Sequence, residues 1–370
     1  MNGNLNIRVL QLIDSLEAGG AERMAVNLAN GLASEIESSY LCTTRKEGIL
    51  LNSLNPDVHY LFLNKTSTID VLAFIRFYKY LKKEKITHLH AHSSSFFLAT
   101  LVSLFLPRLQ LIWHDHYGNS EFLEERPYQV LKWCSKRFNA VLSVNMLLVD
   151  WAQHHLKCSI VRYLPNFVDV KFEPGNLELP LYGSSGKRIL CLANLRSQKG
   201  HLNLFKAFKE VSLRFPDWTL HCVGKDFKDA YSNKLKIKLR NLGLEHLVSL
   251  YGSRPDVKAI IAACDIGVLS SHSEGLPLAL LEYGTGGLAV VATDVGDCIK
   301  VIPNSEYGQL VSRGDIDALV KALIQYIENP HLRKQHSLNL KKHISENFSF
   351  EAVFKQLKSV YQRESLINIR

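Results

Sequence analysis

No C-x-x-C pair occurs among the seven cysteines, at positions 42, 134, 158, 191, 222, 264 and 298. Their odd number and scatter argue against a disulfide framework or a zinc ribbon and suit a reducing compartment. No run is long enough to span a membrane. The longest uncharged apolar stretch, 96–106, is eleven residues ended by Pro107, and a span needs ~20. It reads instead as a buried helix of an α/β domain. Met1–Asn6 is polar, and the apolar run Ile7–Ile13 includes Arg8 and Gln11, so no secretory pattern is visible. A cytoplasmic location is the expectation. Neither G-x-G-x-x-G nor a Walker motif is present. No recognisable nucleic-acid motif accompanies the basic charge, so nucleic acid is not an expected partner.

What remains is ordinary globular composition: 370 residues, 46% hydrophobic and 21% charged. The length suits two domains. The net charge is +9, formally +2 over residues 1–173 and +7 over 174–370. Such a balance favours anionic ligands or surfaces without choosing among them. Strand-like runs at 7–14, 39–44, 59–63, 87–91, 109–113 and 140–144 alternate with amphipathic helical stretches such as 21–33 and 69–82. A Pro/Gly/Ser-rich break at 164–187 follows. Alternation then restarts, with strands at 188–193, 219–223, 248–251, 266–270 and 289–292. Helices are expected near 201–214, 229–242, 255–263, 277–286, 315–328 and 350–364. The pattern predicts two doubly wound α/β domains with parallel sheets, joined by one linker. Ligands of such sheets bind beyond the strand carboxyl ends, so chemistry is expected in those loops.

Gly19 and Gly20 follow the first strand and open a helix, where backbone N–H groups can approach an anion. His88, His90 and His92 alternate on a strand, and His114 and His116 follow the 109–113 strand. These histidines fit a metal site, a contact to a sugar or phosphate, or structural roles; Asp115 is the only carboxylate nearby. In the second half Arg196 and Lys199 precede a helix, a suitable seat for a diphosphate. The segment Ser271–Glu282 is the most informative. Its Pro277 suits a first helical turn. The backbone N–H groups of Gly275 and Leu276 would face an anion, with the Glu274 and Glu282 carboxylates on either side to receive hydroxyls. Phosphate flanked by two polyols describes a nucleotide sugar.

Gly-Gly-Ala-Glu at 19–22, H-D-H-Y-G at 114–118, L-P-N at 164–166, R-S-Q-K-G at 196–200 and the two glutamates at 274 and 282 occur in one order. In that order they resemble the retaining glycosyltransferases of family 4, over nearly the whole chain. The resemblance implies the GT-B fold, two Rossmann-like parallel-sheet domains facing across a cleft. It implies an acceptor-binding domain at 1–168, a linker at 169–186 and a nucleotide-sugar domain at 187–347. A C-terminal helix at 348–365 would pack back on the first domain. Glu274 would hold the donor sugar and Glu282 the ribose. Gly275, Leu276 and Pro277 at the helix start, with Lys199 and Arg196, would hold the diphosphate. Arg254 would lie near the nucleobase, mostly through its backbone, and Gly19 and Gly20 near the phosphates and acceptor. His116, or alternatively His114, would touch the transferred sugar. The chain departs from the family pattern at Asn194, where arginine is common, and Arg196 would supply that charge.

The implied reaction is transfer of a hexose-type sugar, with retention, from a nucleotide diphosphate sugar, UDP before GDP. The acceptor would be a glycan, lipid-linked, in bacterial surface polysaccharide assembly. Glu274, Lys199, Arg196 and His116 would carry it, with no metal and no cofactor. Two rival readings are a metal hydrolase built on the histidine clusters and a non-catalytic glycan-binding protein. Residues 70–85 add a further expectation. Lys79, Lys82 and Lys83 share one helical face, with Val71, Leu72, Ile75, Tyr78 and Leu81 roughly opposite. Such a helix either covers the sheet or rests on an anionic bilayer, which would be the cytoplasmic face of the inner membrane.

Overall fold

The computed structural model describes residues 5–362. The chain forms two compact units, one of residues up to 167 together with those from 350 onward, the other of residues 168–349.

The first unit contains β1 (Leu5–Ser15), α1 (Gly20–Leu32), β2 (Ile36–Lys46), β3 (His59–Phe62), α2 (Val71–Lys83) and β4 (His88–His92). It continues with α3 (Phe96–Ser103), β5 (Gln110–Asp115), α4 (Gln129–Cys134), β6 (Ala140–Ser143), α5 (Met146–His155) and β7 (Val161–Tyr163). All seven strands are parallel, in the order β3-β2-β1-β4-β5-β6-β7. Parallel neighbours cannot be joined by a tight hairpin, so helices carry the chain back across the sheet. Leu10, Leu12, Leu89, Leu111 and Trp113 fill one buried cluster, while Ile13, Leu41 and Val58 meet Ala25, Val26 and Ala29 of α1 in another.

The second unit contains β8 (Arg188–Leu192), α6 (His201–Arg214), β9 (Thr219–Val223), α7 (Ala230–Leu242), β10 (Val248–Leu250), α8 (Val257–Ala262) and β11 (Ile266–Leu269). There follow α9 (Leu278–Gly286), β12 (Ala289–Thr293), α10 (Cys298–Val301), β13 (Gln309–Val311), α11 (Ile316–Glu328) and α12 (Pro330–Asn347). Its six parallel strands run β10-β9-β8-β11-β12-β13. Much of the Pro/Gly-rich stretch is tied to this unit. The Glu178 N–H donates to Asp256 (2.8 Å), and the Arg188 guanidinium donates to the carbonyls of Leu181, Tyr182 and Gly183.

The last helix, α13 (Phe350–Tyr361), belongs to the first unit. Residues 363–365, expected as its end, lie outside the described residues. Val353, Phe354, Leu357 and Tyr361 are buried, and the Phe350 ring lies against Gly31, where a Cβ would sit 2.4 Å from it. Tyr361 closes over β4: its carbonyl is 3.1 Å from His88 Nε2 and its hydroxyl 2.9 Å from His90 Nδ1. Burial holds both imidazoles neutral, pushing His88 down to about 4 and His90 to about 3.

Several elements differ from the sequence expectation. β7 and β13 have three residues each, too short to show a period, and α12 is an 18-residue helix where none was expected. In α2 the residues toward the sheet are Ala73, Phe77 and Leu81. Val71, Leu72 and Ile75, expected on the side opposite the lysines, are 63%, 69% and 41% exposed. Asp70 caps the helix by accepting from the Ala73 N–H.

Truncating Leu357 to Ala should cost ~2–5 kcal/mol of unfolding free energy, as for other fully buried leucines. Gln356→Ala on the exposed face should change it by less than ~0.5 kcal/mol. Equal effects in denaturant titrations would contradict the docking of α13. The buried histidines also set a pH dependence. Their folded pKa values lie below the unfolded value of ~6.5, so the stability they confer is full above ~6.5 and is lost as pH falls toward 3–4, by up to ~1.4 kcal/mol per pH unit for each. Unfolding free energies at pH 7 and pH 5 should show that loss, and His90→Gln should reduce the slope. An unchanged slope would contradict the neutral, buried assignment.

Candidate functional site

In each sheet the strand order reverses once, between β1 and β4 in the first unit and between β8 and β11 in the second. Connections on the two sides of such a point leave for opposite faces, opening a crevice at the strand carboxyl ends. The sequence-predicted site residues fall largely on those loops.

In the second unit the loops after β8 and β11 are locked together. His272 N–H donates to Gln198 O (2.6 Å) and Ser270 Oγ to Lys199 O (3.1 Å). Gly200 makes the approach possible. It sits at φ +66°, and a Cβ there would lie 1.9 Å from the Ser270 carbonyl oxygen. The result is a close pair: Lys199 Nζ donates to both Glu274 oxygens, at 2.6 and 2.8 Å, and Ser271 Oγ donates to Oε1 at 2.6 Å. The Glu274 side chain is 5% exposed and that of Lys199 21%. Behind Glu274, Gly296 packs so closely that a Cβ would meet the Glu274 and Gly275 carbonyls, and Asp297 N–H donates to Gly275 O. Pro277, at the N-cap of α9, ends this loop, and Gly275, Leu276 and Pro277 are all buried. Their helix presents the N-terminal donors and positive dipole end expected at an anion seat. Glu282 lies half-buried within α9.

Three predicted residues have side chains engaged by neighbours within the second unit. Arg196 is exposed, with its guanidinium 4.5 Å over the Phe227 ring, and it makes no ion pair with Glu274. Asn194 Oδ1 accepts from Lys225 N–H (2.7 Å), joining the loops after β8 and β9. The Arg254 side chain is buried against Asp256 and donates to Leu179 O, so it fastens the 178–182 stretch. That geometry is compatible with the expected contact to a nucleobase through its backbone.

In the first unit Gly19 caps α1 in an extended conformation, and a Cβ on it would overlap the Glu22 carboxylate. Space beside Gly20 is open. The reversal point is closed by Ser94 Oγ donating to Asp14 (2.6 Å) and Ser95 Oγ donating to Leu12 O (2.8 Å). The histidines converge there. His90 Nε2 is 3.2 Å from His114 Nδ1, and His92 lies between Gln11 Oε1 (2.8 Å from Nε2) and His116 Nε2 (2.9 Å from Nδ1). Burial pushes His92 and His114 well below the usual range and His116 to about 3. His90, His92 and His114 offer ligand atoms within 4.8 Å of one another, close enough to share a cation. Both nitrogens of His90 and His92 are nonetheless engaged by neighbouring side chains. Asp115, the carboxylate beside them, is bidentate to Arg126 at 2.7 and 2.8 Å. His114 is fully buried, whereas His116 is half-buried at the loop.

Arg126 escaped the sequence reading. Its guanidinium pairs with Asp115 and lies 4.4 Å over Tyr117 and 4.2 Å over Trp151, while Asp115 also accepts from Tyr117 N–H. The residues on both sides of His116 are thereby fixed. No local spacing signals this, because Arg126 and Trp151 reach the loop only through the fold.

Two family models match the chain: glycosyltransferase family 4 over residues 18–172 and glycosyl transferases group 1 over residues 183–343. A lipopolysaccharide core biosynthesis mannosyltransferase, LpcC, from Rhizobium leguminosarum bv. viciae is 30% identical over 182 residues, about half of each chain (48% of this one, 52% of the relative). A UDP-Gal:alpha-D-GlcNAc-diphosphoundecaprenol alpha-1,3-galactosyltransferase from Escherichia coli is 26% identical over 97% of both chains. Among solved structures, Anabaena HepE in complex with UDP-glucose superposes with a TM-score of 0.79, at 18% identity, over 97% of this chain and all of that one. With two parallel-sheet α/β domains, each matched by its own half of the family, the chain belongs to the GT-B glycosyltransferases of family 4, group 1.

Proposed function

We propose that the protein is a retaining glycosyltransferase that moves a hexose from a nucleotide diphosphate sugar to a lipid-linked glycan in bacterial surface polysaccharide biosynthesis. The Lys199–Glu274 pair at the β8/β11 reversal, beside the α9 N-terminus, is the observation that carries the reading. A diphosphate seated at that helix start takes the Lys199 ammonium as counter-ion, and Glu274 is then free to accept from the sugar hydroxyls. Arg196 turns from Phe227 toward the same anion. Glu282 receives the ribose, Gly275, Leu276 and Pro277 line the phosphates, and Asn194 and the Arg254 backbone shape the nucleotide pocket. Gly19 and Gly20 serve the acceptor side. The protein's main task is to stabilise charge developing on the leaving diphosphate, which itself takes the acceptor hydroxyl's proton on the same face. No enzymic nucleophile and no metal are called for. UDP is favoured over GDP, in keeping with the donor named for the Escherichia coli relative. A lipid-linked acceptor agrees with the names of that relative and of a Campylobacter jejuni diphospho-undecaprenol N-acetylgalactosaminyltransferase, 27% identical over 45% of each chain.

No described helix is long and apolar enough to cross a membrane. Docking of the first unit on the cytoplasmic leaflet accords with the outward face of α2. Ile69, Val71, Leu72 and Ile75 are exposed there, followed along the helix by exposed Lys79, Lys82 and Lys83. Exposed Phe105 packs on Phe74 beside them. Apolar insertion and ~1 kcal/mol per cation near an anionic surface suit a bilayer.

Transfer from UDP- and GDP-sugars to a lipid-linked acceptor, in the presence of chelator, tests the reaction. Lys199→Ala and Glu274→Ala should each lower kcat by about 10²-fold or more, and Glu282→Ala should act mainly on donor KM. Near-normal turnover in the first two folded variants would overturn the site. For the membrane, co-sedimentation with anionic vesicles should fall with salt and on changing Lys79, Lys82 and Lys83 to Gln. Equal recovery with neutral and anionic vesicles would contradict the docking.

A further inference from the structure

Two histidines of the first unit, His92 and His116, form a hydrogen-bonded chain with a defined head. A neutral imidazole has one N–H and one bare nitrogen, so fixing one proton in a chain fixes the next. At the head is Gln11 of β1, 0% exposed, whose Oε1 stands 2.8 Å from His92 Nε2. With the Gln11 amide set so that Oε1 faces His92, that oxygen can only accept, so His92 carries its proton on Nε2 and its Nδ1 is bare. His116 Nε2, 2.9 Å from that bare nitrogen, must be the donor. His116 Nδ1 is then bare in turn, and it has no hydrogen-bond partner among the described residues. His116 is half-buried, unlike His90, His92 and His114, which are fully buried, so the chain ends at the loop beyond the strand carboxyl ends.

A bare nitrogen on a neutral imidazole accepts from hydroxyl groups and offers nothing to a phosphate oxygen. The backbone on both sides is held by Asp115, which accepts from Tyr117 N–H and pairs with Arg126. The His116 ring is therefore fixed both in place and in tautomer, from two directions.

We propose that Gln11 is a positioning residue: through His92 it holds His116 as the Nε2–H tautomer, so that Nδ1 accepts a hydrogen bond from a hydroxyl of the sugar being transferred. The identity of the ligand rests on the glycosyl-transfer reading above; the relay itself does not. Gln11 touches neither substrate nor reacting atoms and acts only through His92.

The test uses the full chain with ¹⁵N-labelled histidine, assigned with His116→Asn, and reads imidazole tautomers from long-range ¹H–¹⁵N spectra without substrate. Wild-type His116 should be protonated on Nε2 alone. Gln11→Leu removes the acceptor and should give mixed tautomers of His92 and His116. It should also lower kcat about tenfold with donor KM little changed, the loss of one oriented hydrogen bond. Gln11→Glu places a carboxylate against His92 and draws a second proton onto that imidazole, so His116 should switch to the Nδ1–H tautomer and kcat should stay low, a response that a packing role alone would not give. His116 protonated on Nδ1 in the wild type overturns the proposal, and so does a Gln11→Leu protein with unchanged tautomer and kcat. If Gln11→Leu does not fold, the wild-type spectrum and Gln11→Glu still decide. Should no nucleotide sugar be turned over while the tautomers respond as stated, the relay stands and the assignment of its ligand to a sugar is overturned.

Discussion

A parallel strand cannot return to its neighbour without crossing a face of the sheet, and almost everything in this protein depends on that constraint. Among the described residues the strands of each sheet are all parallel, which puts connections on the faces, and every loop leaving a strand emerges at the carboxyl edge of its own sheet. Where the order reverses, at β1/β4 and at β8/β11, adjacent loops diverge and leave room. The first unit places Gly19, Gly20, Ser94 and the histidine chain at its reversal. The second places Lys199 and Glu274. These residues are far apart in sequence and adjacent only because the strand order brings the loops side by side.

The second reversal shows how such a site is held ready. Two opposite charges taken out of water cost desolvation energy that their attraction only partly offsets, so a buried pair is poor evidence of stability on its own. Here the pair is set by backbone that cannot shift: Gly200 against Ser270, and Gly296 against Glu274 and Gly275. In the proposed function, an anion entering at the α9 N-terminus would give the ammonium a second partner without moving the loops. Preorganised charge of this kind is what a reaction with a departing diphosphate requires.

Much of this was legible in the sequence, and the exceptions have physical causes. The long runs 188–193 and 201–214 carry strong periods, and the structure forms β8 and α6 at nearly those bounds. The three-residue edge strands β7 and β13 were not read from the sequence, whereas β10, equally short, was expected at 248–251. Helix α12 is polar over most of its surface, burying only His336, Ser337, Leu340 and Ile344, so the apolar stripe that signals a helix is faint. For α2 the period identified the helix but not which arc faces the sheet, since apolar residues occupy more of its circumference than the sheet can cover. Lys199 and Glu274 were found because each follows a strand and precedes a helix. The commitment of Asn194 to Lys225, of Arg254 to Asp256 and of Asp115 to Arg126 was out of reach, because which partner a polar side chain meets is decided by tertiary packing.

The central claim is that the Lys199–Glu274 pair is the seat of the donor diphosphate. A crystal structure of the protein with a bound nucleoside diphosphate tests it most directly. The account predicts phosphate oxygens at the α9 N-terminus beside Gly275 and Leu276, with Lys199 Nζ turned from Glu274 onto them. A nucleotide bound elsewhere, or one bound there with the Lys199–Glu274 pair unchanged, would contradict it.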